Sequence, residues 1–211
     1  MAKAGLAESD TASIILEAAD ELFGERGFDA VSIRDVTERA GVQKALVFYY
    51  FRSKEGLFQQ VLDRYYAAHR AALEAAAAVD RPPRERLHGV VDAYLDFINR
   101  NRRYPRLVQR EVASLDGRLD LIQHSLASLF RWTEAALSEI APQQGPLAAR
   151  HFFVTFSGAV INLFTYGPAL APVWGSDPLS DAGIAERRAH LHWLVDTVLD
   201  RLGQGGGEAQ A

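Results

Sequence analysis

Between Arg34 and Lys54 the sequence gathers Arg34, Arg39, Lys44, Arg52 and Lys54 against only Asp35 and Glu38. Residues 8–29 have the opposite balance, seven acids and the single base Arg26. Ammonium and guanidinium groups at this spacing pair with phosphate oxygens, and an amide such as Gln43 can bond an adenine edge or a phosphate. The chemistry on offer is recognition of a polyanion. It is local: the whole chain carries a formal charge of −4, which is not the balance of a protein that coats nucleic acid indiscriminately.

These groups must be positioned by the string SIRDVTERAGVQKALVFYYFRSK, residues 32–54. Ser32 and Asp35 have capping-box spacing, with Asp in place of the usual Glu, and Gly41 breaks the helix they start. A second short helix follows from 43 to about 50. Ile33, Val36, Ala40, Val42 and Val47 have the spacing to bury one side of the pair. Gln43, Lys44, Leu46 and Phe48 are left toward the other, with Ala45 among them. Two short helices around a glycine make a helix-turn-helix, whose second helix lies in the major groove. Arg34 sits in the first turn of the preceding helix. Ser53 N-caps a long following helix, so Lys54 adds its charge to free backbone N–H groups at a phosphate-binding terminus. Tyr49 and Tyr50 cannot both face outward; Tyr49 is the outward choice. The plainer alternative for the segment is a helical hairpin inside an ordinary bundle.

The rest of the chain reads as helix, with no run of alternating strands. A first helix spans about Thr11 to Arg26, with Ile15, Ala18, Ala19, Leu22 and Phe23 on one face and Gly27 as its stop. The long fourth helix puts Phe58, Val61, Leu62, Tyr65 and His69 on one face. A fifth, after Pro82 and Pro83, stops before Pro105; a short sixth spans Leu107–Leu115. A seventh runs from Leu119 to Ile140, an eighth from Pro146 to about Tyr166. A Pro- and Gly-rich loop over 167–181 then leads to a ninth with a seam of Leu191, Leu194, Val195, Val198, Leu199 and Leu202. The expected organisation is residues 1–55 as a DNA-binding head, 56–202 as a larger helical domain and 203–211 as a flexible tail.

Several functions are disfavoured. Without cysteine there is no disulfide, thiolate metal site or cysteine nucleophile. His190 and His192 diverge by about 200° on a helix and cannot share an ion, and HExxH is absent, so no metal is expected. The tail GQGGG follows no strand and is not a phosphate loop. No catalytic constellation is signalled, and neither an enzyme nor a cofactor is expected. No apolar run approaches a membrane span and the first ten residues lack an apolar h-region, so a cytoplasmic protein without membrane contact is expected.

The string FGERGFDAVSIRDVTERAGVQKALVFYYFRSKEGL, with the helix before it, resembles the N-terminal domain of TetR-family transcriptional regulators over roughly residues 11–60. The remainder matches only in length, helix count and order. The resemblance implies an all-α fold: a three-helix helix-turn-helix head joined to a larger helical ligand-binding and dimerisation domain. It implies double-stranded operator DNA as partner, contacted by Arg34, Gln43, Lys44, Ala45, Leu46, Phe48, Tyr49 and Lys54. The family often carries threonine where Leu46 stands and tyrosine where Phe48 stands; both changes delete a hydroxyl, though Leu46 can touch a thymine methyl.

The resemblance also implies a small-molecule effector in the larger domain, where residues 60–202 hold 14 of the 21 aromatic residues. Tyr94, Phe97, Gln109, His124, Trp132, Phe152, Asn162 and Tyr166 are the candidate lining residues, plain core packing being the alternative for each. Asn162 and His124, polar on otherwise apolar faces, need a partner. The arginines 100, 102, 103, 106 and 110 could hold an anion or simply remain solvated near a helix C-terminus. Helices eight and nine are the expected homodimer surface. Phe152, Phe156, Ala159, Val160 and Leu163 share a face, and Ser157–Gly158–Ala159 permits close approach. The expected function is a homodimeric regulator, more often a repressor, released from a palindromic operator by a small molecule. The competing reading is a helical ligand-binding or scaffold protein with a vestigial head.

Overall fold

The computed structural model describes residues 2–113, 119–138 and 141–208, among which there are nine α-helices and no strand. They are α1 (Ala2–Arg26), α2 (Ile33–Ala40), α3 (Lys44–Phe51), α4 (Lys54–Ala77), α5 (Pro83–Arg100), α6 (Arg103–Ala113), α7 (Leu119–Leu137), α8 (Ala149–Trp174) and α9 (Asp181–Glu208). The fold is all-α. Two compact units form: one holds the chain to Ala67 with Arg106–Ser125, the other Ala68–Pro105 with the chain from Leu126 onward. Packing thus assigns 56–67 and 106–125 to the head, where the motif alone suggests a boundary at 55. The segment boundary falls inside α4, which is continuous across it.

In the first unit the capping box forms. The Ser32 hydroxyl accepts from the Asp35 N–H at 3.1 Å, and the Asp35 carboxylate accepts from the Ser32 N–H at 2.7 Å. α2 ends where Gly41 takes φ 67° and sends its N–H back to the Thr37 carbonyl, a left-handed stop that suits glycine. Ile15, Leu22, Phe23, Val36, Val47, Leu57 and Phe58 are buried. The Phe58 ring meets both Phe23 and Phe28 edge-on at 5.1 Å. Each such ring contributes about 1.5–3 kcal/mol through burial. Val47 and Phe51 are the buried residues of α3. Ser53 caps α4 as expected, its hydroxyl accepting from the Gly56 N–H at 3.0 Å. Asp20 is buried and accepts from the Tyr65 hydroxyl at 2.7 and 2.8 Å, with Arg64 at 3.2 Å.

The second unit packs α5 against α9 and α8. Along the α5–α9 seam charges alternate one helical turn apart. Arg84 reaches Asp196 and Asp200, His88 reaches Asp196 at 3.0 Å, and Arg188 and His192 reach Asp92 at 2.7 and 2.8 Å. The rings of His88 and His192 stack at 4.1 Å.

Several boundaries differ from expectation. Prolines are the main reason. Pro105 lies inside α6, in its first turn, where the missing N–H costs nothing. α8 runs through Pro168 and Pro172 to Trp174 instead of ending near Tyr166. Gly167 is flexible enough to stay helical before a proline, and its bare Cα lets Pro178 close in: a Cβ there would sit 3.0 Å from the Pro178 ring. α8 stops at Gly175, in the left-handed region at φ 70°. α9 continues through Glu208, past the tail expected to be flexible, because glycine has no steric bar to helical dihedrals. The end expected at Ile140 lies outside the described residues. Extended this way, α8 becomes the one described helix long and apolar enough to cross a membrane, with mean hydropathy 1.3, contrary to the expectation that no run approaches that length.

Candidate nucleic-acid interface and ligand cavity

α3 divides its residues sharply. Val47 is fully buried and anchors the helix, while Gln43, Lys44, Ala45, Leu46, Phe48 and Tyr49 are all exposed. Tyr49 points outward at 70% exposure, its ring meeting Tyr50 edge-on at 5.0 Å. The Lys44 ammonium lies 5.6 Å from the Phe48 ring centre. That leaves a helix whose free side carries one cation, one amide and three large apolar or aromatic groups.

Two flanking cations complete the face, each with a partner of its own. Arg34 is exposed and donates to Glu38 at 2.7 Å, which raises its pKa through that hydrogen bond and charge. The Lys54 ammonium sits 4.2 Å above the Phe28 ring, a cation–π contact that aims it without neutralising it. Just before it, Arg52 has φ 65°, the only positive value outside glycine among the described residues. The Ser53 N–H bonds the Phe51 carbonyl across it at 2.7 Å, a strained γ-turn. This tight link sets α3 directly against the start of α4.

The second unit contains a cavity of about 140 Å³. Its walls are Leu73, Leu87, Val90, Val91, Tyr94, Leu129, Trp132, Phe152, Phe153, Phe156, Val195, Val198, Leu199 and Leu202, with His69, Thr133 and Ser157 the main polar members. Of the expected lining residues, Tyr94, Trp132 and Phe152 are there. Phe97 is buried behind the wall, its ring stacked 4.8 Å from His69. Gln109 and His124 belong to the other unit, and His124 is exposed. Asn162 and Tyr166 are exposed on α8. Helical periodicity told which residues share a face; it could not tell which face turns inward.

The same reason corrects the expected dimer faces. Phe152 and Phe156 line the cavity, and Val160 and Leu163 are buried within the subunit. Leu191 and Val195 of α9 are buried too, while Val198, Leu199 and Leu202 face the cavity. α8 exposes another stripe, Thr155, Asn162, Tyr166, Ala169 and Val173, together with Val154 and most of its last two turns.

Sequence reasoning missed His69. It is 2% exposed, both ring nitrogens lack a hydrogen-bond partner, and burial pushes its pKa down to about 4. A histidine on an otherwise apolar helix face was the signal available.

Residues 15–61 match the family model "Bacterial regulatory proteins, tetR family". Over 137 residues the chain is 33% identical to the transcriptional repressor Rv3405c of Mycobacterium tuberculosis, covering 58% of this chain and 72% of that protein. It is also 33% identical over 94 residues to the transcriptional activator FasR of Mycolicibacterium smegmatis, covering 44% and 43%. A transcriptional regulator from Aquifex aeolicus VF5 has the same fold, with TM-score 0.64, 20% identity and coverage of 87% of this chain and 99% of that one. The chain spans about half the length of the first curated relatives it matches. The protein belongs to the TetR family of transcriptional regulators.

Proposed function

We propose that this protein is a homodimeric, cytoplasmic, non-enzymatic regulator that binds a palindromic operator through α3 and is released by a small molecule in the second unit. The observation that carries the reading is the division of α3. A short helix held by Val47 and Phe51 exposes Lys44, Leu46, Phe48 and Tyr49 together. Exposing that much apolar surface beside a cation costs solvation unless a partner covers it, and a major groove offers phosphates, base edges and thymine methyls to match. The contacts proposed are Arg34, Gln43, Lys44, Ala45, Leu46, Phe48, Tyr49 and Lys54.

The exposed stripe of α8, with Trp174 and with Trp193 of α9 at 51% and 59% exposure, supports a two-fold dimer that would present two recognition helices to two half-sites. A second copy, not lipid, is the proposed cover for this apolar helix. Because α4 carries Lys54 at its start and the cavity residues His69 and Leu73 further on, an occupant of the cavity can bias the position of the head. Strong release needs several kcal/mol of differential affinity between the two states. Relatives include both a named repressor and a named activator; repression is the reading proposed.

Mobility shift with genomic fragments tests the proposal. Specific shifts should weaken in Lys44→Ala and Lys54→Ala, each lowering the salt slope by about one unit. Absence of any sequence preference at any salt would leave the vestigial-head reading standing. For the dimer, Val173→Glu should convert a dimeric mass in light scattering into a monomeric one; a wild-type monomer at micromolar concentration would refute it.

A further inference from the structure

Among the described residues, the cavity lining contains no aspartate, glutamate, lysine or arginine. A charged ligand would therefore enter without a counter-ion, at a cost of several kcal/mol. The aliphatic hydroxyls of the wall have already committed their protons. The Thr133 hydroxyl donates to the Leu129 carbonyl at 3.1 Å, and that of Ser157 to the Val154 carbonyl at 3.2 Å. His69 differs. Its ring stacks on Tyr94 at 4.6 Å and on Phe97 at 4.8 Å, both nearly parallel. Aromatic packing thus fixes the imidazole plane, while neither nitrogen has a partner. Buried unpartnered polar atoms are rare in folded proteins because each forfeits its hydration. An oriented, dry imidazole on the wall of an apolar cavity is a hydrogen-bonding group waiting for its complement.

We propose that the cavity selects an uncharged, largely apolar ligand with a single hydroxyl or carbonyl that bonds His69; this rests on the reading of the cavity as the effector site. The low pKa agrees, since at neutral pH the ring is neutral and offers one donor and one acceptor. Size agrees too: an apolar cavity of about 150 Å³ takes one benzene ring, and this one is about 140 Å³ and only partly enclosed, which leaves room for a short alkyl chain on such a ring. Aromatic walls at Tyr94, Trp132 and Phe152 favour a ring. His69 is the anchor and the aromatic walls supply the apolar contact.

The test uses the full chain, calorimetry and three probes: 4-propylphenol, propylbenzene and 4-propylbenzoate. The phenol should bind about tenfold more tightly than propylbenzene, the value of one net hydrogen bond. The benzoate should be the weakest. In His69→Phe, which keeps a flat ring between Tyr94 and Phe97, the phenol should lose its advantage over propylbenzene. Independently of any variant, nitrogen NMR of histidine-labelled wild type should show one His69 nitrogen moving with the phenol and not with propylbenzene. Phenol and propylbenzene binding equally, a preference that survives in His69→Phe, an unmoved His69 signal, or the benzoate binding tightest would overturn the anchor while leaving the effector cavity intact. If neither the phenol nor propylbenzene binds, the cavity reading falls and the anchor with it.

Discussion

Replacing glycine by alanine at two positions should change stability in opposite directions. Gly41 ends α2, and Gly89 lies inside α5. A Cβ added at either one would meet nothing within 4 Å, so contacts cannot decide the outcome and the backbone must. Gly41 has φ 67° and ψ 32°. An L-residue there pays about 1–2 kcal/mol, partly offset by about 0.4–1 kcal/mol of entropy removed from the unfolded chain. Gly41→Ala should therefore destabilise by about 0.5–1.5 kcal/mol. At Gly89 the dihedrals are helical and alanine gains about 0.8–1 kcal/mol in propensity. The two substitutions should differ by about 2 kcal/mol, read as urea midpoints at unchanged m. Gly41→Asn should fall between wild type and Gly41→Ala, since asparagine tolerates the left-handed region better. If Gly41→Ala matches or exceeds wild type, or Gly41→Asn is the worse of the two, the turn is not the constraint described.

Arg52 offers the converse. Its positive φ and the γ-turn across it predict that Arg52→Gly raises thermal stability by about 1 kcal/mol, while lowering DNA affinity if the arginine also meets phosphate; an unchanged midpoint would deny the strain. The capping box predicts a pH dependence. Hydrogen bonds from Ser32 hold the Asp35 carboxyl below its ordinary 3.8. That stabilisation is present above pH 3.8 and disappears as pH falls through the lower folded-state value. Ser32→Ala should thus destabilise near neutrality and by less in strong acid, where only the pH-independent bond from the Asp35 N–H to the hydroxyl is lost, measured as urea midpoints across the range; a penalty that grows on acidification would contradict the assignment.

The head was legible because its constraints are local. Ser32, Asp35, Gly41 and Ser53 act on backbone groups within a few residues of themselves, so their spacing alone announces caps and turns. The alternation of Val47 and Phe51 against Lys44, Leu46, Phe48 and Tyr49 is likewise set within two helical turns. The second unit is governed by pairings about a hundred residues apart. Arg84 with Asp196 and Arg188 with Asp92 leave no mark that a single helix reveals. Neither does the rotation of α8 that turns Phe152 and Phe156 to the cavity and Tyr166 to solvent. Pro168 misled for a related reason: it removes one donor and so reads as a stop, yet α8 continues through it, with the bare Cα of Gly167 packed against Pro178. His69 was misplaced by omission, since apolar periodicity treats a buried histidine as one more face residue.

The exposed ion pair Arg34–Glu38 bears on how the head meets DNA. Both side chains are largely solvated, at 85% and 62%, so their attraction is weak and readily screened. Glu38 nonetheless occupies the guanidinium Nε at 2.7 Å and places a negative charge beside the surface that phosphates would approach. An arginine cannot give its full fork to a phosphate while Glu38 holds one edge. Glu38→Gln removes the charge and keeps the side chain's reach. It should tighten operator binding at low salt and steepen the decline of log affinity with log salt by about one unit, the signature of one more phosphate engaged. Folding should barely change, because the pair is exposed. The slope is the decisive readout: a tighter complex with the wild-type slope means only a lost repulsion, and a weaker complex would place Glu38 itself on the DNA, where a carboxylate can accept from a cytosine amine.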